Sequence, residues 1–327
     1  MLTNQATTLR KPRHGACAGP WGLDISGDWT AAGRFALILA VFLCGCAGME
    51  DQVRKKSAHI IATNKDQNIP YEQNVAEQIA AGGRFTDEEL APRRLRAYST
   101  GTIKLLLESV DNVSFLTRGA QPNLTRQVRI FDELASRGGA TPDAVSELFQ
   151  RFLAARLFDE ATALKSRFPD VKLWDLPEII ETAGPSEPAF RVYDVSSDSK
   201  TATVRRLPME TGPKIVVSAW NSCPVTAKAF RLIEADPKML QPMQAYGMIL
   251  TGRFEPGGVA AQNAKRVAAR MYIARTERDW PAIGFSVSPT FYFLKDGKVM
   301  HRFSEVDSSE RLSRDFDQGL ESIGLKK

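Results

Sequence analysis

The chain has 327 residues and a formal net charge of +5 at pH 7. A hydrophobic content of 43% with 25% charged residues is ordinary for a globular protein and argues against a disordered or membrane-embedded chain. Nucleic-acid binding favours a clustered basic face, and here the densest cluster is only Arg93-Arg94-Leu95-Arg96, which is typical of a solvated helix face. We therefore expect no nucleic-acid partner.

An export signal is predicted near the front of the chain. Residues 35–43 are uninterruptedly apolar and follow Arg34, a run too short for a bilayer span of about 20 residues but typical of a signal's hydrophobic part. The run ends at Leu43-Cys44-Gly45-Cys46, which resembles a bacterial lipobox. That resemblance implies a signal over residues 1–45, lipidation of Cys46, and an anchor on the periplasmic side, with Ala47 favouring the outer membrane. The alternative is a buried core helix.

The next two segments differ in composition. Residues 46–70 are polar and short of large apolar groups, which predicts a flexible tether. From 71 to 183 the apolar residues recur at helical spacing, so an all-α helical domain is expected there. The sequences Thr86-Asp87-Glu88-Glu89-Leu90 and Thr141-Pro142-Asp143 each look like a capped helix start. The surface of this domain is a candidate for contact with a protein partner.

The pattern changes after Gly184-Pro185-Ser186-Glu187-Pro188, a breaker cluster that predicts a domain boundary at residue 184. Residues 189–195 and 201–207 alternate like a β-hairpin, with a turn between them. Further strands are predicted at 214–220, 248–251, 291–294 and 299–303, and helices at 227–233, 260–271 and 309–323. Residues 184–327 are thus expected to form an α/β domain.

Cys223 carries the chemistry that this domain offers. Cys17 and Cys44 would leave with the signal and Cys46 would be blocked by lipid, so Cys223 would be the one free thiol. It lies between a predicted strand and a predicted helix, where the helix dipole and free N–H groups favour a thiolate. A single thiol in an oxidising compartment is either buried and inert or kept for its chemistry.

A second segment, Val287-Ser288-Pro289-Thr290, precedes an apolar strand and an Asp296-Gly297 turn. Together with the strand–Cys223–helix unit it resembles the thioredoxin superfamily, where the cysteine starts a helix and a cis-proline enters a neighbouring strand. The resemblance covers residues 184–327 and implies a central mixed sheet flanked by helices. The hairpin ahead of Cys223 is similar to that of the TlpA-like branch. The alternative is an ordinary trans proline that begins an edge strand.

The resemblance also implies roles for individual residues. The second cysteine of the family's Cys-x-x-Cys motif is Thr226 here, which cannot resolve a mixed disulfide but could donate a hydrogen bond to the Cys223 thiolate. Cys223 and Thr226 are therefore the implied catalytic residues. The implied substrate-binding residues, which include the loop that pairs with an extended substrate, are Trp220, Pro224, Ser288, Pro289 and Thr290.

Two functions stay open. The first is a monothiol redox protein of the cell envelope that acts through Cys223 on thiols or disulfides of exported proteins. The second is a non-catalytic binding or assembly module that keeps the same fold. An exposed sulfur facing Pro289 favours the first, and an enclosed one the second. We expect neither a cofactor nor a metal, because the sequence has no phosphate loop and no zinc-type cysteine and histidine spacing.

Overall fold

The computed structural model describes residues 31–182, 189–304, 306 and 308–326, with side chains from Gly48 onward. The predicted boundary at 184–188, most of the predicted signal, and the side chain of Cys46 lie outside these residues. The chain divides at Met49, and Glu50–Lys327 forms one compact unit. No helix in the described part is long and apolar enough to cross a membrane.

The polar segment 46–70 is mostly helical, so the prediction of a flexible tether was wrong. Helix α1 runs over Ala31–Lys65. In its second half Val53 and Ile60 are completely buried, and Glu50 accepts hydrogen bonds from the Ser99 backbone N–H at 2.9 Å and the Thr102 hydroxyl at 2.6 Å. The buried residues Val53, Ser57 and Ile60 are four and three positions apart and so lie on one helix face, which composition alone did not reveal.

Six further helices build the region predicted to be helical. They are α2 (Tyr71–Gly83), α3 (Pro92–Ala97), α4 (Thr100–Leu116), α5 (Asn123–Ser136), α6 (Pro142–Ala154) and α7 (Phe158–Arg167). The predicted start at Thr141 is confirmed, because its hydroxyl accepts from the Ala144 backbone N–H. The predicted start at Thr86 is wrong: Thr86 and Glu89 bond reciprocally, but they close a turn, and α3 begins only at Pro92.

The second half of the unit is built around a mixed sheet. Its strands are β1 (Glu178–Glu181), β2 (Arg191–Val195), β3 (Thr201–Arg206), β4 (Pro213–Ser218), β5 (Gly247–Thr251), β6 (Met271–Ala274), β7 (Thr290–Lys295) and β8 (Lys298–Phe303). Its helices are α8 (Pro224–Ala235), α9 (Pro237–Tyr246), α10 (Pro256–Lys265) and α11 (Ser309–Ser322). The strand order is β1-β3-β2-β6-β5-β4-β7-β8.

The directions of the central strands bring the candidate site residues to one edge of the sheet. β4, β5 and β6 are parallel, and β7 runs antiparallel to β4. The carboxyl ends of β4, β5 and β6 therefore share one edge with the start of β7. At this edge lie the segment that follows β4, from residue 219 onward, the segment that follows β5, from residue 252 onward, and the loop that enters β7. The predicted α/β class is confirmed, with a thioredoxin-like arrangement of sheet and helices.

Two strands were not predicted. β6 occupies residues that had been assigned in part to a helix over 260–271, and α10 ends earlier, at Lys265. β1 lies within the region predicted to be all helical and pairs in parallel with β3. Both strands have only four residues, too few for alternation to be recognised.

The helical half and the sheet also share a core, which differs from the predicted pair of separate domains. One continuous apolar cluster contains Ile103 and Phe131 from the helices together with Ile215 and Phe291 from the sheet. A smaller cluster that includes Val216 covers the other face. Because β4 is buried on both faces, its end is firmly placed.

Candidate active site

Cys223 stands at the junction between β4 and α8. It is the N-cap residue of α8, and Pro224 follows as the first helical residue. Proline suits that position because its missing N–H would have no partner there. The sulfur belongs to a partly exposed residue, neither enclosed in the core nor fully in solvent. Helix N–H groups thus face a thiol that reagents can reach.

The loop that enters β7 lies directly against Cys223. The Ser288–Pro289 peptide bond is cis, as the resemblance implied. The Cys223 Sγ–H donates to the Ser288 carbonyl oxygen at 3.4 Å. Two segments more than sixty positions apart in sequence therefore meet at the sulfur, because β7 is antiparallel to β4 and begins where β4 ends.

A chain of hydroxyl groups connects this loop to α8. The Trp220 backbone N–H donates to Ser288 Oγ at 2.8 Å, and Ser288 Oγ lies 2.9 Å from Thr226 Oγ1. If the Ser288 hydroxyl donates this hydrogen bond to Thr226 Oγ1, the Thr226 hydroxyl hydrogen is available to Cys223. The Thr226 side chain is buried, three residues after Cys223 in the first turn of α8, and its hydroxyl can donate a hydrogen bond to the sulfur.

These contacts change the acidity of the thiol. Burial of the sulfur raises the pKa of Cys223, but the backbone N–H and hydroxyl of Thr226, the Val225 N–H and the Ser288 hydroxyl outweigh it. The pKa of Cys223 therefore lies below its ordinary value. On ionisation the sulfur loses its bond to the Ser288 carbonyl and becomes an acceptor for the donors around it.

The other predicted substrate-binding residues surround this point in different ways. Trp220 is partly exposed, and its indole N–H donates to the Phe285 carbonyl at 3.1 Å. Pro224 is exposed beside Cys223, and Pro289 is buried behind the loop. Thr290 is buried, with an exposure of 7%, and its hydroxyl donates to the Val287 carbonyl. Its side chain therefore fixes the loop rather than facing solvent.

Two exposed apolar residues are close in sequence to Cys223 and Ser288. Val225 lies one helical position beyond Pro224 and is 44% exposed, and Val287 precedes Ser288 and is 49% exposed. Exposed apolar groups in the two segments that meet at a partly exposed thiol are suited to contact with a bound chain. Neither valine was singled out from the sequence, although both are neighbours in sequence of predicted site residues.

Sequence reasoning also missed a cation at this edge. Arg253 follows the end of β5, and its guanidinium carbon lies 4.5 Å from the centre of the Trp220 ring and 6.0 Å from that of Phe115 in α4. The signal available was its position two residues past a strand parallel to β4. His301 is paired with Phe293 in the middle of β7 and does not belong to the site.

Known proteins show little similarity to this chain. No family model matches the chain, and no curated protein matches it. The chain is similar to a thioredoxin-like protein from Bacteroides caccae, with 11% identity, coverage of 77% of this chain and 86% of that chain, and a TM-score of 0.29. The strand order, the position of Cys223 at the start of α8 and the cis-Pro289 loop of this chain are themselves typical of a thioredoxin-like fold.

The site can attack as a thiolate but offers no second thiol. In the part of the chain with described side chains, Cys223 is the free cysteine. The same residues contain no group of three or more histidine, cysteine, aspartate or glutamate side chains placed to hold a metal ion. What the geometry supplies is one nucleophile, a hydroxyl donor in Thr226, and a loop whose backbone lies beside the sulfur.

Proposed function

We propose that the protein is a monothiol thiol–disulfide exchange protein that acts on other proteins through Cys223. The observation that carries this proposal is the partly exposed Cys223 sulfur at the start of α8, 3.4 Å from the Ser288 carbonyl of the cis-Pro289 loop. Enclosure of the sulfur in the core would have favoured a purely structural role. The lowered pKa of Cys223 supports the same proposal.

The reaction begins with the Cys223 thiolate. It attacks one sulfur of a disulfide, the sulfur–sulfur bond breaks, and a mixed disulfide with Cys223 forms while the other sulfur leaves as a thiolate and takes up a proton. Thr226 cannot attack this mixed disulfide. An external thiolate must therefore attack the Cys223 sulfur, which releases the substrate sulfur as a thiol and leaves Cys223 in a disulfide with the external thiol. A second external thiol then releases Cys223, and the two external thiols leave as a disulfide, having supplied the two electrons that reduce the substrate.

The missing second thiol gives a direct test. Wild-type protein mixed with a fluorescent peptide disulfide should hold one peptide per chain as a mixed disulfide until an external thiol is added. Thr226→Cys places a second thiol at the position of the present hydroxyl donor and should release the peptide without external thiol. Fluorescence on a non-reducing gel measures both. A wild-type chain that retains no peptide, although folded, would overturn the proposal.

We further propose that this chemistry takes place at the cell envelope. The supporting observations are the apolar run 35–43 and the lipobox-like Leu43-Cys44-Gly45-Cys46. The protein would be exported, lipidated at Cys46, and held on the periplasmic side of the outer membrane. Metabolic labelling with a radioactive fatty acid should mark the wild type and not Cys46→Ala. Equal labelling of both, or of neither, would contradict the anchor.

A further inference from the structure

The guanidinium of Arg253 is held at the edge of the active site without a strong partner. Its carbon lies 4.5 Å from the centre of the Trp220 ring. Among the described residues the nearest carboxylate is that of Glu255, at 3.9 Å, which is beyond hydrogen-bond distance. No hydrogen bond from the guanidinium to another described residue is formed, so its N–H donors remain available.

Stacking gives this cation a defined direction. A guanidinium that lies on an aromatic face keeps its N–H edge free for two parallel bonds to a carboxylate. Phe115, at 6.0 Å on the helical side, limits the positions open to Arg253. The side chain is 36% exposed, so a ligand can reach it. The Trp220 and Phe115 rings therefore hold the Arg253 guanidinium in one orientation, with its N–H edge available to a carboxylate, rather than leaving it as a mobile surface charge.

The Arg253 guanidinium lies within reach of a peptide bound at Cys223. The Cys223 backbone N–H donates to the Trp220 carbonyl at 3.2 Å, which closes a turn and keeps their Cα atoms under about 7 Å apart. The Trp220 indole also bonds to Phe285, three residues before Ser288. A peptide segment of two or three extended residues, roughly 7–10 Å long, would span from the sulfur to the Arg253 side of this ring.

A second arginine lies near this edge. Arg118, in the turn after α4, lies 5.6 Å from the centre of the Phe285 ring and pairs with Glu277. Burial is the main reason that the pKa of Arg118 is lowered; Tyr71 opposes this shift, and the neighbouring charge of Arg253 adds to it. The carboxylate of Glu255 opposes the positive charge of Arg253, so replacing Glu255 also tests the role of that charge.

We propose that Arg253 is a specificity-determining residue that binds a carboxylate in the protein substrate, two or three residues from the cysteine that exchanges with Cys223. This inference rests on the proposed thiol–disulfide exchange and narrows its substrate class to acidic segments around a cysteine. Arg253 takes no part in bond breaking. Its contribution is to the binding of the substrate and the orientation of its sulfur.

The test compares two peptide disulfides that differ only in having Glu or Gln two residues from the cysteine. Wild-type protein should form the mixed disulfide with the Glu peptide roughly fivefold faster at low salt, as expected for one partly exposed ion pair of about 1 kcal/mol. Added salt should reduce the preference. Arg253→Gln should abolish this preference, so that the two peptides react at equal rates, and Glu255→Gln should increase it.

The matched control is Arg84→Gln, which removes an exposed arginine after α2 and should leave the preference intact. Equal rates for the two peptides with the wild type, or a preference that survives in Arg253→Gln, would overturn the inference while leaving exchange itself established. Absence of reaction with both peptides would instead count against the proposed function, so the two failures are distinguishable.

Discussion

Replacing Cys223 by serine is expected to abolish mixed-disulfide formation and any turnover with a peptide disulfide. A hydroxyl cannot take the place of the thiolate in exchange, and Thr226 offers no second sulfur. Because Cys223 is only partly buried and serine is nearly isosteric, the free energy of unfolding should change by less than about 1 kcal/mol. Single-turnover kinetics and urea unfolding measure the two effects.

The matched control for this substitution is Ser222→Ala, at the exposed neighbour of Cys223. It should leave both exchange and stability close to wild type. Retention of peptide by Cys223→Ser would show that another group carries the reaction. A large loss of stability in Cys223→Ser would show that the sulfur is a packing element, which is the role expected of a non-catalytic module.

The second large effect is expected at Arg156, which joins the helical half to the sheet edge. Its guanidinium donates to the carbonyls of Leu153, Gly252, Ala274 and Arg275 at 2.7 to 3.0 Å. Burial lowers the pKa of Arg156 to about 10, so the side chain remains charged at neutral pH. Arg156→Met should lower the free energy of unfolding by roughly 3 kcal/mol, because several carbonyls lose their donor.

Urea unfolding of Arg156→Met, set beside the exposed-site variant Arg96→Met, tests this expectation. The control should stay within about 0.5 kcal/mol of wild type. Gly252 directly follows β5 and Ala274 is the last residue of β6, so loss of Arg156 should also loosen the sheet edge that carries Arg253. A change at Arg156 no larger than that of the control would show that water replaces the guanidinium at little cost.

The sequence was sufficient to predict the part of the site set by local order. Cys223 follows a buried strand and precedes a helix, and Pro289 precedes an apolar strand with an Asp-Gly turn, so both could be placed on a thioredoxin-like frame. The hairpin of β2 and β3 was predicted for the same reason, since alternation over five or six residues identifies half-buried strands.

Features set by long-range packing could not be predicted. The second half of α1 looked like a tether because its burial depends on contacts such as Lys56 with Glu89, thirty-three positions away. The stacking of Arg253 between Trp220 and Phe115 joins three distant segments. The four-residue strands β1 and β6 exist because longer neighbours pair with them, a tertiary effect that overrides weak local preference.

The measurement that tests the central claim most directly is the alkylation rate of Cys223 against pH, on protein that begins after Cys46. Thr226, Val225 and Ser288 supply hydrogen bonds that lower the pKa of Cys223, so we expect a midpoint below the ordinary thiol value of about 8.5. In Thr226→Val, which lacks one donor, the midpoint should rise, and Thr226→Ser should restore it. A midpoint at or above the ordinary value, or no reaction before denaturation, would contradict an activated thiolate.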